Sequence, residues 1–313
     1  MKQYNAKTIR NVALVGHAGS GKTSLAEAAF YLTGQSERLG RVPDGNTICD
    51  FDPEEIKRKA SVSTALLPVE WKDTKINLLD TPGLFDFAGG MREGIRAAGS
   101  AVVVVSGKSG VTVGAEKGFR AAQKKGIATM FFVNKMDNEN ADFYKVFEEL
   151  KTKFGPMVCP LVVPYVEDHQ VKCYINLLEY KAYTYQNGKA APVPLPDMGH
   201  RLDGLRTAIN EAVAETSEEL MDKYFSGEDF TYAEMIQGLR QGVKDLSLFP
   251  VVCGSAVSGL GTRMLLDIIV ELLPSPLEGR PLMGENADGE VDEFVPFPGA
   301  LPAALVWKTV SDQ

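Results

Sequence analysis

The run VALVGHAGSGKT, residues 12–23, constrains this chain more than any other stretch. An apolar segment stops at Gly16, the next residues satisfy G-x-x-x-x-G-K-[ST], and helical spacing follows over residues 23–32. That is the strand–turn–helix setting the motif requires. Gly16, Gly19 and Gly21 let backbone N–H groups curl around an anion, and the start of the helix adds partial positive charge. Lys22 reaches the β/γ-phosphates as a point charge, and the Thr23 hydroxyl is a candidate Mg²⁺ ligand. His17, Ala18, Ser20 and Ser24 complete the candidate phosphate-binding stretch. The competing explanation is a glycine-rich turn that merely contains a lysine, and the strand and helix on either side argue against it.

Three further motifs follow in order. Asp80 closes the apolar run KINLLD, where a second acidic group can hold the metal through water. Thr81 and Pro82 lead to Gly83, whose N–H can face a γ-phosphate and whose backbone can hinge when that phosphate leaves. Next comes NKMD at the end of MFFVNKMD. Asp137 can accept hydrogen bonds from guanine N1–H and the exocyclic amine, a pairing adenine does not offer. Asn134 would brace the loop, and the Lys135 stem would cover the ring. Gly254, Ser255 and Ala256 end the last apolar run and can present N–H groups to guanine O6. Each motif alone is little more than a loop. All four in this order, each at the end of a candidate strand, imply a guanine-nucleotide domain and disfavour a P-loop kinase or ATPase.

The rest of the chain supports the same fold. Four short apolar runs, at residues 12–16, 101–106, 130–134 and 250–256, suit strands buried on both faces of a parallel sheet. Helical spacing over residues 23–32, 89–98, 115–124 and 141–154 alternates with them, so the expected class is α/β with a mostly parallel sheet. Residues 1–164 and 249–275 are expected to form this domain. Residues 165–248 read as an inserted α+β subdomain, with weak strands, a Pro-rich turn and two polar helical stretches. Prolines and glycines mark residues 276–300 as a linker, and residues 301–313 have strand character. A net charge of −8 argues against gripping nucleic acid by overall charge, so no DNA partner is expected. No apolar run approaches the ~20 residues of a membrane span, and the N-terminus has no signal-peptide core. The four cysteines lack CxxC spacing. A reduced cytoplasm is the expected setting.

GHAGSGKT, DTPG, NKMD and CGSA, with the insertion before the last of them, resemble the G domain of elongation factor G and related translational GTPases. LVWKTVSD is similar to the first strand of that family's second, β-barrel domain. The resemblance implies GTP/GDP and Mg²⁺ as ligands, with Thr23, Ser61 and Asp80 on the metal. It implies that the insertion is the family's G′ subdomain, that the intact protein is about twice as long, and that the ribosome is its partner. The fragment itself is expected to be monomeric.

The chain also departs from that family, as a divergent paralogue would. After DTPG the family places a histidine that positions or activates the attacking water; here the residue is Leu84, whose side chain can neither donate nor accept a hydrogen bond. Positioning groups contribute about 10²–10⁴-fold, or roughly 3–5 kcal/mol of barrier. Gly19 stands where GHxD has aspartate. The family's R-G-I-T becomes Arg58-Lys59-Ala60-Ser61, in which Ser61 keeps a hydroxyl for the metal. Ala18 and Ala60 replace the larger apolar side chains that flank the histidine. Two readings stay open: a ribosome-stimulated GTPase with weakened hydrolysis, or a GTP-gated ribosome-binding or ribosome-protection paralogue with little or none. Residues 57–59 fit either ribosomal RNA phosphates or plain solvation. The acidic stretch at 211–229 reads as a solvated face, His17 as structural, and Cys159 and Cys253 as core.

Overall fold

The computed structural model describes residues 2–186, 189–285, 288–297, 299–300 and 303–310. The chain begins with β1 (Ile9–Val15), α1 (Lys22–Leu32), α2 (Pro53–Arg58), β2 (Ala65–Trp71), β3 (Thr74–Asp80) and α3 (Ala88–Ala97). It continues through β4 (Ser100–Ser106), α4 (Val113–Lys125), β5 (Ala128–Asn134), α5 (Phe143–Phe154) and β6 (Val158–Pro160). Four antiparallel strands follow: β7 (Val162–Glu167), β8 (Gln170–Asn176), β9 (Lys181–Gln186) and β10 (Lys189–Val193). Then come α6 (His200–Ala214), α7 (Glu218–Phe225), α8 (Tyr232–Lys244), β11 (Phe249–Cys253), α9 (Thr262–Leu272), β12 (Leu282–Glu285) and β13 (Val291–Phe294).

The central sheet has the order β2-β3-β1-β4-β5-β11-β6, and all its pairs are parallel except β2–β3. Every residue of β4 and β5 is buried, as continuous apolar runs covered by helices on both faces require. The edge strand β2 instead alternates buried and exposed positions, the pattern of a strand with one wet face. The strand order reverses at β1, between β3 and β4, and open α/β sheets take ligands outside the C-terminal ends of the strands at such a point. The α/β class and mostly parallel sheet are as expected.

The insertion differs from its expected outline. Its sheet starts at Val162 rather than 165, and the chain crosses from the core sheet at Leu161, whose N–H bonds to Val251 O at 2.8 Å. Val162 and Val163 are fully buried, so their apolar character matches both sheets and hides the crossing. The Pro-rich turn is partly strand: Pro192 lies in β10, an edge where a missing N–H is tolerated. Three helices stand in place of two polar stretches, because Ser217 caps α7 and a Thr231–Glu234 capping box starts α8. No helix among the described residues is long and apolar enough to cross a membrane.

The expected linker also carries structure, since β12 and β13 form an antiparallel pair within residues 276–300. The strand expected over 301–313 is not seen: residues 303–310 take no regular structure because they pair with no described strand, and 301, 302 and 311–313 lie outside the described residues. The start of this segment is anchored by Glu278. Its carboxylate receives Arg240 Nη2 at 2.5 and 2.7 Å, Ser275 Oγ at 2.6 Å and Ser275 N at 2.9 Å. Burial pushes this carboxyl up, but the Ser275 and Arg240 bonds outweigh it and hold it at about 2. Because the folded value lies below the ordinary 4.5, the stabilisation is present above about pH 4.5 and is lost as pH falls towards 2. With the pair about a third exposed, solvent screening leaves ~1 kcal/mol. Glu278→Gln is therefore expected to lower the urea midpoint at pH 7 and to leave it unchanged near pH 2. An unaltered midpoint at pH 7 would contradict this.

Candidate functional site

The sheet gathers the four motifs at one edge. Between β1 and α1 the backbone turns through Gly16, Gly19 and Gly21, all at positive φ. At Gly21 a side chain is also excluded by space, because a Cβ would lie 2.3 Å from Asn134 Nδ2. Lys22 is buried, 5% exposed, and its Nζ donates to Gly16 O and His17 O, both at 3.0 Å. Burial lowers its ammonium to about 8, while the nearby Asp80 and Asp50 carboxylates work in the opposite direction.

Next to it, Thr23 Oγ1 donates to Asp80 Oδ2 at 2.6 Å and lies 3.1 Å from Ser61 Oγ. The three candidate metal ligands thus meet, although they come from the phosphate loop, the segment after α2 and the end of β3. Asp80 is 1% exposed and its Oδ1 has no partner. Burial pushes its carboxyl up to about 7 despite Lys22 and Thr23. A fourth group was not among the sequence candidates: Asp50, buried, its carboxyl raised by burial while the neighbouring Ser61 hydroxyl works in the opposite direction. Its only sequence signal is an acidic residue eleven positions before Ser61 in the same connecting segment. Two buried carboxylates, one with the unpaired Asp80 Oδ1, beside two hydroxyls suit a hard divalent cation, and Mg²⁺ is normally held by one or two carboxylates together with phosphates.

The turn after β3 is fixed against β1 and the phosphate loop. Thr81 donates through N and Oγ1 to Leu14 O at 3.3 and 2.7 Å, and Pro82 is buried. Gly83 O accepts from Ala18 N at 3.1 Å, and a Cβ on Gly83 would lie 2.5 Å from Lys22 Nζ and 2.6 Å from Ala18 N. Leu84 follows in extended backbone, partly exposed, at the start of the short 3₁₀ turn Phe85–Phe87. His17 has its ring 5.7 Å from that of Phe85, and its Nδ1 is without a partner. Ser20 Oγ is buried and unpaired, and Ser24 is partly exposed on α1. Ala60 follows Lys59, which caps α2 at φ 54.

Asn134 ties the opposite side together. Its Nδ2 donates to Ser20 O at 2.9 Å, and its Oδ1 accepts from Lys135 N at 2.8 Å and Ala256 N at 3.0 Å. Met136 N donates to Gly254 O at 3.1 Å, and Ser255 is fully buried. The phosphate loop, the NKMD loop and the GSA loop therefore share one side chain. Lys135 is partly exposed and Asp137 exposed beside it. Of the remaining readings, all four cysteines are buried, and residues 57–59 are exposed with Arg58 paired to Glu54.

A glycine-rich phosphate loop between a buried parallel strand and a helix, with the NKMD and GSA loops tied to it, has the layout of a P-loop nucleotide-binding domain. The model of the elongation factor Tu GTP binding domain family matches residues 7–275. The chain belongs to that family and is a GTP-binding, P-loop GTPase domain of translation-factor type. A crystal structure of a protein from Thermus thermophilus is similar at TM-score 0.83 and 38% identity, covering 88% of this chain and 42% of that one. This chain thus spans less than half the length of that relative.

Proposed function

We propose that this chain is the nucleotide switch of a ribosome-associated translation factor that binds GTP and GDP with Mg²⁺ and hydrolyses GTP weakly. The observation that carries the reading is Asn134, which locks the phosphate loop to both base-side loops in one geometry. Lys22 would leave its carbonyl partners to meet the phosphates, with backbone N–H groups of residues 19–23 around them. Thr23, Ser61 and Asp80, assisted by Asp50, would hold Mg²⁺, which when bound neutralises phosphate charge. Asp137 would accept from the guanine edge while Lys135 covers its face. Gly83 N–H would read the terminal phosphate, and its release would free the segments carrying Ser61 and Leu84.

The Leu84 side chain has no polar atom with which to orient water, so the rate rests on backbone groups or on a group supplied by the ribosome. The expected result is slow turnover alone, partial stimulation by ribosomes, and a rise of about 10²-fold on ribosomes for Leu84→His. The measurement is steady-state phosphate release from GTP by the longest available form of the protein, with and without ribosomes. If the wild type is silent and the histidine variant turns over, the GTP-gated binding reading, ribosome protection included, replaces the enzymatic one. Fast turnover by the wild type alone would contradict both.

A further inference from the structure

The backbone that leads from Ser61 to β2 is held from three sides. Val62 N and Ser63 N donate to Glu55 Oε1 at 2.9 and 3.1 Å, and Glu55, 1% exposed, also caps α2. Thr64, also 1% exposed, donates through Oγ1 to Gly90 O of α3 at 2.6 Å. The third hold comes from far along the chain. Lys308 Nζ donates to Ser63 Oγ at 3.2 Å and to Thr64 O at 2.6 Å.

These contacts lie next to the moving parts of the site. Thr64 and the turn after Asp80 pack against the same glycines of α3: a Cβ on Gly90 would lie 2.9 Å from Pro82 Cγ and 3.2 Å from Thr64 Oγ1. One on Gly94 would lie 2.5 Å from Thr81 Cγ2. Ala65, the next residue, pairs with Asp80 across β2 and β3. Lys308 therefore bonds the few residues between one candidate metal ligand, Ser61, and the strand paired with another, Asp80.

We propose that Lys308 is a positioning residue that holds the Ser61 segment in its metal-binding place and so favours the triphosphate over the diphosphate. This rests on the nucleotide and metal roles given under Proposed function. Both acceptors are local to residues 63 and 64, so the two bonds form only when that backbone is in place. A γ-phosphate and its metal order this kind of segment, whereas a diphosphate leaves it free. Linkage makes the effect reciprocal: whatever ties Ser61 down strengthens the Lys308 contact, and the contact strengthens triphosphate binding by the same factor. Two hydrogen bonds from a charged donor that is partly open to solvent correspond to roughly tenfold in affinity. Through the same contact, the residues around 308 sense the state of the nucleotide.

The test uses the 313-residue chain, a fluorescent GDP and a fluorescent non-hydrolysable GTP analogue, at saturating Mg²⁺. Lys308→Met is expected to weaken the GTP analogue about tenfold and GDP by less than about twofold. Lys308→Arg is expected to recover most of the loss, because its guanidinium can serve the same two acceptors. Ser63→Ala, which removes one acceptor and leaves the lysine, is expected to cost the GTP analogue about threefold and to add little to Lys308→Met. An unselective loss, no loss, or full additivity of the two substitutions overturns the assignment of Lys308 while the site reading stands. If the unaltered chain binds neither nucleotide, the site reading fails first and the role of Lys308 fails with it.

Discussion

Lys22→Met is expected to weaken GTP and GDP binding by about 10²–10³-fold while leaving the nucleotide-free fold intact. The side chain is buried beside the phosphate loop, where the dielectric is low and a lost charge–phosphate contact costs about 3–5 kcal/mol, roughly 1.4 kcal/mol per tenfold. Without ligand its ammonium is poorly served. It touches two carbonyls, and burial lowers it to about 8 from 10.5. Between those values the unfolded chain binds the extra proton, so stability rises with pH across that window, and below it the buried charge costs about 3 kcal/mol. Methionine removes that cost, so the unfolding midpoint at pH 7 is expected to hold or rise as binding disappears. Titration calorimetry and thermal unfolding of the same preparation separate the two effects. A fall in both would show that Lys22 is part of the scaffold and not a ligand group.

The second large effect is expected at Asp137. Guanine presents two donors, N1–H and the 2-amino group, and a carboxylate is the group that accepts both. Asparagine offers one acceptor and adds a donor, so one of the guanine donors faces an N–H. Asp137→Asn should lose guanine nucleotides by about 10²–10³-fold, since a site built around a hydrogen bond rejects partners that leave it unpaired. It should gain xanthine nucleotides, whose 2-oxo group accepts from the new amide. Asp137 is exposed and Asn134 holds the loop independently, so the substitution is not expected to disturb the fold. Equal loss of guanine and xanthine binding would place the base elsewhere.

The motifs were legible in the sequence because each is short, local and tied to a strand end. Gly16 to Thr23, Asp80 to Gly83, Asn134 to Asp137 and Gly254 to Ala256 could be placed from the apolar runs before them, and the fold brings them to one edge. Asp50 was not legible. An acid between Cys49 and Phe51 looks like any other loop acid, and only the packing of that segment shows that it is buried beside Ser61. The insertion boundary was missed because Val162 and Val163 are as apolar as a core strand, and pattern alone does not tell which sheet a buried strand joins. The strands at 282–285 and 291–294 were hidden by the prolines and glycines around them, which mark turns but do not exclude short pairs between the turns. Lys59 shows the limit from another side: it takes φ 54, a conformation usual for glycine, where the sequence gives no turn signal.

The central claim is that this crevice selects guanine, and competition for a bound fluorescent GDP at saturating Mg²⁺ tests it most directly. GTP and GDP are both expected to displace the probe, with ATP failing to do so at about a hundredfold excess. Displacement by ATP as readily as by GTP would contradict the account, because Asp137, Asn134 and the GSA loop would then have no part in choosing the base.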